Sequence, residues 1–429
     1  MNLSVVGTGY VGLVTAACLA DLGHHVTGVD RDAGRIAALG QNRMPFYESG
    51  LEELVRKGQQ AGRLRFLTDT AAAIDASEVV FITVGTPSRD DGNADLTEVS
   101  AVAEVIAGSL RDYRLIVEKS TVPIRTGERI RDQIQLLTRG AVPFDVACNP
   151  EFLREGSAVY DFMHPDRVVL GVTNERSERL LREVYGPLDC PILVTDLTTA
   201  EMIKHASNAF LAMKISYINA IANICERVGA DVRQVADGMG YDRRIGRAFL
   251  DAGVGYGGSC FPKDVAAFIQ IAKEAGYDFR LLEEVARINE GQRDLLLRHL
   301  KDALWVLRNR TVTVLGLAYK ANTDDIREAP AVAIIEELRR EGAVVRAYDP
   351  AAEANARRVL DGVLYCTDPY EAARESDAVV VLTDWDEFRA LDLARLRDLM
   401  RRPVLVDGRN IFDPEAVRAL GFHYAGMGR

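Results

Sequence analysis

The sequence predicts an α/β chain with two doubly wound parallel sheets, joined by a long central helix and a helical middle region. Three observations predict it. Short apolar runs at residues 3–6, 25–29, 79–84, 115–117 and 146–148 alternate with helical patterns, as in parallel sheets covered by helices. From residue 198 to about 228 a helical pattern runs without Gly or Pro until Gly229, longer than an ordinary globular helix. After a mostly helical stretch to about Asn309, strand-like runs resume at 312–316, 344–348, 378–382 and 404–406.

The first element carries the first motif. Residues 3–6 read as a strand and 10–22 as a helix closed by Gly23, with Gly7-Thr8-Gly9-Tyr10-Val11-Gly12 between them. In this context G-x-G-x-x-G is a dinucleotide turn. Gly7 permits the turn, Gly9 lets the backbone approach a pyrophosphate, and Gly12 lets the helix pack closely with its N-terminus toward the phosphates. Asp30 ends the second strand, where a carboxylate binds both ribose hydroxyls and repels a 2′-phosphate, favouring NAD over NADP. Arg31 beside it is a residue that can accommodate that phosphate. Two later strands end in Val84-Gly85-Thr86-Pro87 and Ser120-Thr121-Val122-Pro123, placing Thr86 and Thr121 at the carboxyl edge of the sheet. Threonine before proline also simply turns a chain. A Rossmann-like domain over residues 1–197 follows. Residues 198–309 hold the central helix and a helical middle region, to which the family resemblance given below assigns catalysis and dimerisation, and residues 310–429 form a second Rossmann-like domain.

The middle region holds the nucleophile candidate. Residues 253–264 contain four glycines, then Ser259-Cys260-Phe261-Pro262-Lys263-Asp264. The glycines let the backbone approach something closely, and Pro262 suits the first turn of a helix. Cys260 is thereby set at a helix N-terminus beside Lys263, which favours a thiolate. Cys18 and Cys225 lie among apolar neighbours and read as structural. On the long helix Lys204 and Asn208 share a face four residues apart, where they can stabilise an oxyanion or form a solvated stripe. Residues 149–156 follow a strand and carry Glu151 and Glu155.

Composition excludes other classes. Of 429 residues 48% are hydrophobic and 27% charged, a globular composition, and the net charge of −11 argues against nucleic acid as partner. No apolar run reaches the roughly 20 residues of a membrane span. Residues 1–7 enter a strand with no basic region or cleavage signal, and the six cysteines are scattered, so a cytoplasmic location is expected. No metal site is expected.

Taken together, Gly7–Gly12, the 84–87 and 120–123 segments, 149–156, 201–208, 257–264 and 320–330 resemble the UDP-glucose dehydrogenase family, over essentially the whole chain. The resemblance implies two Rossmann-type domains joined by a long helix, the first binding NAD and the second helping to bind a UDP-sugar. It implies a four-electron oxidation of a C6 alcohol to a carboxylate, consuming two NAD, with Cys260 as nucleophile. Lys204 and Asn208 would stabilise charge at the C6 oxygen, and Thr121, Glu151 and Asp264 would organise water and proton transfer. Asp30, Arg35, Thr121, Glu155, Lys263 and Arg327 match positions that contact NAD, beside Gly7, Gly9, Tyr10, Val11, Gly12 and Thr86 of the motifs. Phe152, Leu153, Arg154, Glu155, Lys204, Asn208, Phe249, Leu250, Asp251, Ala252, Gly253, Gly257 and Lys320 match positions contacting the sugar nucleotide. Arg247 resembles an arginine that reaches a neighbouring subunit's substrate site, which implies a homodimer. GDP-mannose and UDP-N-acetylmannosamine are the alternative substrates of the same chemistry. A hydroxyacid dehydrogenase of the 6-phosphogluconate type would need neither Cys260 nor the second Rossmann-like domain. A non-catalytic NAD-sensing protein would not need Cys260, Lys204, Asn208 and Asp264 together.

Overall fold

The computed structural model describes residues 1–89 and 92–429. They form two compact units, residues 1–207 with 266–275, and residues 208–265 with 276–429. The first of the three crossings falls inside the long helix Leu197–Val228, whose 32 residues match the expected central helix.

In the first unit, strands β1 (Asn2–Val6), β2 (His25–Val29), β3 (Leu64–Leu67), β4 (Val79–Ile82), β5 (Arg114–Glu118), β6 (Phe144–Cys148), β7 (Val168–Gly171) and β8 (Ile192–Thr195) make one sheet, ordered β3-β2-β1-β4-β5-β6-β7-β8. Leu3, Val5, Phe81 and Val117 face one hydrophobic layer, while Val6, Ile82, Ile116 and Val146 face the other. Burial on both faces explains why these strands read as continuous apolar runs. Strands β1 to β6 are parallel, but β7 runs antiparallel to β6, the two pairing at Cys148 and Gly171. The strands read from the sequence form the expected parallel sheet, and β7 and β8, which were not read, extend it in the opposite direction. The loop after β6 stays irregular through residue 157, and the next helix, Ala158–Met163, has only six residues. Such a helix spans about 9 Å, too little to return the chain along a five-residue strand of about 17 Å.

In the second unit, β9 (Thr311–Leu315), β10 (Val344–Tyr348), β11 (Leu364–Tyr365), β12 (Ala378–Val381), β13 (Val404–Asp407) and β14 (His423–Gly426) form a parallel sheet, ordered β11-β10-β9-β12-β13-β14. Its order repeats that of the first six strands of the other sheet. Asp349, just after β10, accepts from the amides of Leu317 at 2.7 Å and Ala318 at 3.1 Å, and from the Trp385 indole at 3.2 Å. Its other oxygen accepts from Ala351 and Ala352. Both carboxylate oxygens are therefore engaged within the chain. Helices Val232–Gly240, Phe261–Glu274 and Arg280–Leu304 make up the helical middle, residues 266–274 of the second of them belonging to the first unit.

Among the described residues no helix is long and apolar enough to cross a membrane, and no group of three or more His, Cys, Asp or Glu is placed to hold a metal ion.

Candidate active site

The turn after β1 is built by close approach. A Cβ at Gly12 would lie 1.8 Å from the Gly7 carbonyl oxygen, so only glycine lets the helix Tyr10–Asp21 start against the turn. Gly9 is that helix's N-cap and carries no capping side chain, and a Cβ there would meet nothing within 4 Å. A helix start with open space at its N-cap fits the pyrophosphate of a dinucleotide. Asp30 stands beside them. Its Oδ2 accepts from Thr8 N, Thr8 Oγ1 and Arg35 Nη1 at 2.9–3.0 Å, and its Oδ1 from Asp32 N. Burial pushes this carboxyl up, but the Asp32 and Thr8 hydrogen bonds and Arg35 outweigh it and hold it below the usual range. Arg31 points elsewhere, pairing with Glu98 at 2.7 Å on the surface. Thr86 and Thr121, from different strand ends, are brought together: the Thr86 hydroxyl donates to the Thr121 carbonyl at 2.7 Å.

The loop after β6 is tied to both neighbours. Tyr10 donates its hydroxyl to Glu48, which also accepts from Gly156 N at 2.6 Å and Ala158 N at 2.8 Å. Glu151 meets the long helix: its Oε1 accepts from Lys204 Nζ at 2.8 Å and its Oε2 from Leu153 N at 2.6 Å. Both side chains of that pair are 5% exposed, so the solvated-stripe alternative for Lys204 does not hold. The Phe152 ring carries Arg167 at 3.6 Å and Lys204 at 5.5 Å from its centroid. Glu155 is buried, whereas Arg154 faces outward and pairs with Asp161. Glu201, one turn before Lys204, accepts from the Arg125 and Gly127 amides and so anchors the start of helix Thr126–Thr138 to the long helix.

Cys260, in the second unit, immediately precedes the helix Phe261–Glu274, whose residues from 266 on belong to the first, and its carbonyl accepts from Asp264 N at 2.8 Å. That is the expected helix N-terminus, with the Ser259 hydroxyl 3.6 Å from the sulfur. Lys263 pairs with Asp264 at 2.9 Å, and Asn208 Nδ2 donates to the other Asp264 oxygen at 2.6 Å. Asn208 and Asp264 are both buried. The glycine-rich loop approaches the protein itself. A Cβ at Gly257 would lie 2.2 Å from the Glu328 carbonyl oxygen, and Gly253 and Gly255 face Gly408 and Asn289 in the same way. Gly258 N donates to the Arg327 carbonyl, which ties the loop to the segment holding Lys320 and Arg327. Arg327 itself pairs with Asp325, and the Lys320 ammonium sits 5.5 Å from the Tyr319 ring centroid. Leu250 and Ala252 pack in a core with Ile218, Ala222 and Val232, so their side chains serve packing. Phe249 has a left-handed backbone, φ 64°, and Arg247 pairs with Asp237 and Asp251.

Four residues were given no role by the sequence reading, although two of them, Asn149 and Glu201, lie in the 149–156 and 201–208 segments. Glu48, Glu201 and Asn149 act through partners remote in sequence, which no local spacing signals. Arg409 does too, holding the Gly255, Tyr319 and Leu382 carbonyls with one buried guanidinium.

Comparison with known proteins identifies the family. The UDP-glucose/GDP-mannose dehydrogenase family's NAD binding domain matches residues 1–189, its central domain 198–291 and its UDP binding domain 313–414. The UDP-glucose 6-dehydrogenase TuaD of Bacillus subtilis is 49% identical over all of this chain and 93% of its own length. A UDP-glucose 6-dehydrogenase of Rhizobium meliloti is 47% identical over the whole of both chains. Among solved structures, a UDP-glucose dehydrogenase from the archaeon Pyrobaculum islandicum superposes with a TM-score of 0.94 at 41% identity, covering 99% of this chain and 97% of that one. With a dinucleotide turn, a cysteine at a helix start and three domains matched in order, the chain belongs to the UDP-glucose/GDP-mannose dehydrogenase family.

Proposed function

We propose that this chain is an NAD-dependent UDP-glucose 6-dehydrogenase that oxidises the C6 alcohol to the carboxylate through Cys260. The observation that carries the mechanism is the pairing of buried groups, Lys204 on Glu151 and Asn208 on Asp264, together with a cysteine at a helix N-terminus. Full-length relatives bearing the UDP-glucose 6-dehydrogenase name at 46–49% identity support UDP-glucose as the sugar. A UDP-D-ManNAc dehydrogenase of Pyrococcus horikoshii shares the fold at 28% identity, which favours glucose over the alternative sugars.

The Gly7–Gly12 turn, Asp30 and Arg35 would hold NAD, with Thr86, Thr121, Glu155, Lys263 and Arg327 as further contacts. When bound, the nicotinamide accepts one hydride in each of the two oxidations. In the first, C6 loses a hydride and its hydroxyl a proton, leaving an aldehyde. The Cys260 thiolate then adds to the aldehyde carbon, and the carbonyl electrons become an oxyanion that the Lys204 ammonium and Asn208 amide stabilise. Collapse of that oxyanion expels the second hydride and leaves a thioester. Water, oriented by Thr121, Glu151 and Asp264, adds to the thioester, and the C–S bond breaks to give carboxylate and thiolate. The sugar nucleotide would lie against Phe152–Glu155, Phe249–Gly253, Gly257 and Lys320.

The same proposal includes a homodimer. Phe210, Tyr217, Ile224 and Val228 are about half exposed or more and recur on the long helix at spacings of seven, seven and four, one apolar stripe fit to meet a second copy. Arg247 would then serve the partner's substrate. Three parts, 1–197, 198–309 and 310–429, divide this work. None of the six cysteines forms a disulfide, which suits a reducing, cytoplasmic setting.

Stoichiometry tests the mechanism. The unmodified protein should form two NADH and one acid per UDP-glucose consumed. Cys260→Ala should lose acid formation by several orders of magnitude. One NADH per sugar, or full acid production by the variant, would leave Cys260 a structural residue.

A further inference from the structure

Behind the Lys204–Glu151 pair stands a buried lysine that the proposed chemistry does not use. Lys119 follows β5, is 4% exposed, and donates from Nζ to Asn149 Oδ1 at 2.9 Å, with the Asn149 carbonyl 3.5 Å away. The rings of Phe162 and Tyr185 flank the ammonium, each centroid 5.9 Å from it. The charged groups facing it are Glu151, on the loop after β6, and Lys204, on the long helix. Tyr185 donates its hydroxyl to the same Asn149 oxygen, and burial pushes that phenol up, so it stays neutral. An ammonium buried against a neutral amide costs stability, and an apolar side chain of equal length packs there at lower cost. Stability alone does not call for a lysine at this position.

We propose that Lys119 is a positioning residue for the oxidation, fixing Glu151 through Asn149 and adding positive charge behind the Lys204–Glu151 pair. The proposal rests on the function given above. Asn149 is locked on every side: its amide N donates to Glu118 O at 2.8 Å, its Nδ2 to Val169 O at 2.9 Å, and its Oδ1 accepts from Lys119 and Tyr185. Pro150 limits rotation between that anchor and Glu151. With all three groups ionised, Lys119, Lys204 and Glu151 carry one net positive charge in a water-poor setting. An oxyanion forming at Lys204 neutralises that excess, so the charge favours the transition state over the ground state. Burial pulls the Lys119 ammonium down, Glu151 props it up and Lys204 pulls it down again, leaving it at about 8. The charge is present at neutral pH and disappears as pH rises through that value.

The test compares Lys119→Met and Lys119→Arg, with Lys204→Met run in parallel. Lys119→Met should melt at or above the wild-type temperature, because it removes a buried charge. Its kcat at pH 7 should nevertheless fall about tenfold, less than the 10²–10³ of a direct oxyanion donor, with KM for NAD and UDP-glucose little changed. The ratio of wild-type to Lys119→Met kcat should narrow as pH rises through 8, since the wild type then loses the charge the variant never had. Lys119→Arg should recover most of the turnover. A folded Lys119→Met with wild-type kcat, or a pH-independent ratio with a lowered melting temperature, overturns the proposal. Should Lys119→Met fail to fold, the arginine variant decides, because its kcat relative to wild type must rise across pH 8 and a constant ratio overturns the idea. If Lys204→Met keeps full turnover as well, the proposed function is what fails; if only Lys119→Met keeps it, the positioning role alone fails.

Discussion

Lys204→Met separates catalysis from folding at one position. The substitution leaves the Glu151 carboxylate 5% exposed and without the ammonium 2.8 Å away. Removing one partner of a buried pair costs about 3–5 kcal/mol. Lys119, buried in the same cluster, still offsets part of the charge, so the lower end of that range, about 3 kcal/mol, is expected. For a unit of some 200 residues that is roughly 6–12 °C in melting temperature. Turnover should fall by about 10²–10³ for the lost oxyanion donor. The double variant Lys204→Met with Glu151→Leu replaces both charges by apolar side chains and should return most of the stability. It should return none of the turnover. Calorimetry gives the first quantity, and NADH absorbance under saturating UDP-glucose gives the second. A single variant as stable as wild type would show that the two charges are not coupled. Recovery of turnover in the double variant would remove both residues from the chemistry.

NAD should be preferred to NADP by at least about fivefold in kcat/KM, the effect of roughly 1 kcal/mol between like charges near 4 Å, because Asp30 is held ionised and Arg31 is engaged by Glu98; equal values would reject it. Glu118 is fully buried, and burial pushes its carboxyl well above 4.5, with Ser120 offsetting part of the rise and Glu201 adding to it. A raised acid in the folded state means that folding takes up a proton, so stability declines as pH climbs from the unfolded carboxyl value toward the folded one. Glu118→Gln should remove that decline, and melting curves that track wild type from pH 4 to 8 would contradict it. Replacing Tyr217 and Ile224 by glutamate should yield monomers by light scattering with little activity, and a fully active monomer would dismiss both the apolar stripe as an interface and the shared role of Arg247.

Much of the fold was legible because its strands are buried on both faces and its first turn has a strict spacing. Residues 3–6, 25–29 and 344–348 were placed within a residue of β1, β2 and β10. The strands that went unread, β3, β7, β8, β11 and β14, are two to four residues long, and most carry exposed or half-exposed positions. Too few residues alternate there to declare a period. At the site, Cys260 before a helix and the Lys204–Asn208 spacing were readable, since a helix start and an i, i+4 face are local facts. Which carboxylate each would meet was not. Lys204 finds Glu151 and Asn208 finds Asp264 through tertiary packing, 53 and 56 residues away in the chain. The glycines of 253–258 signalled a close approach correctly, but what they approach is the protein's own backbone at Gly408 and Glu328.

Asp349 occupies the place in its sheet that Asp30 holds in the other, after the second strand and bonded to the amides of the first turn. The two sheets therefore share both a strand order and an acid-to-turn bond. Their first turns differ. In the second, Gly316-Leu317-Ala318-Tyr319 has no further glycine, and the acid also accepts from the Trp385 indole. One architecture thus serves two different nucleotides, the first sheet matching an NAD binding domain and the second a UDP binding domain.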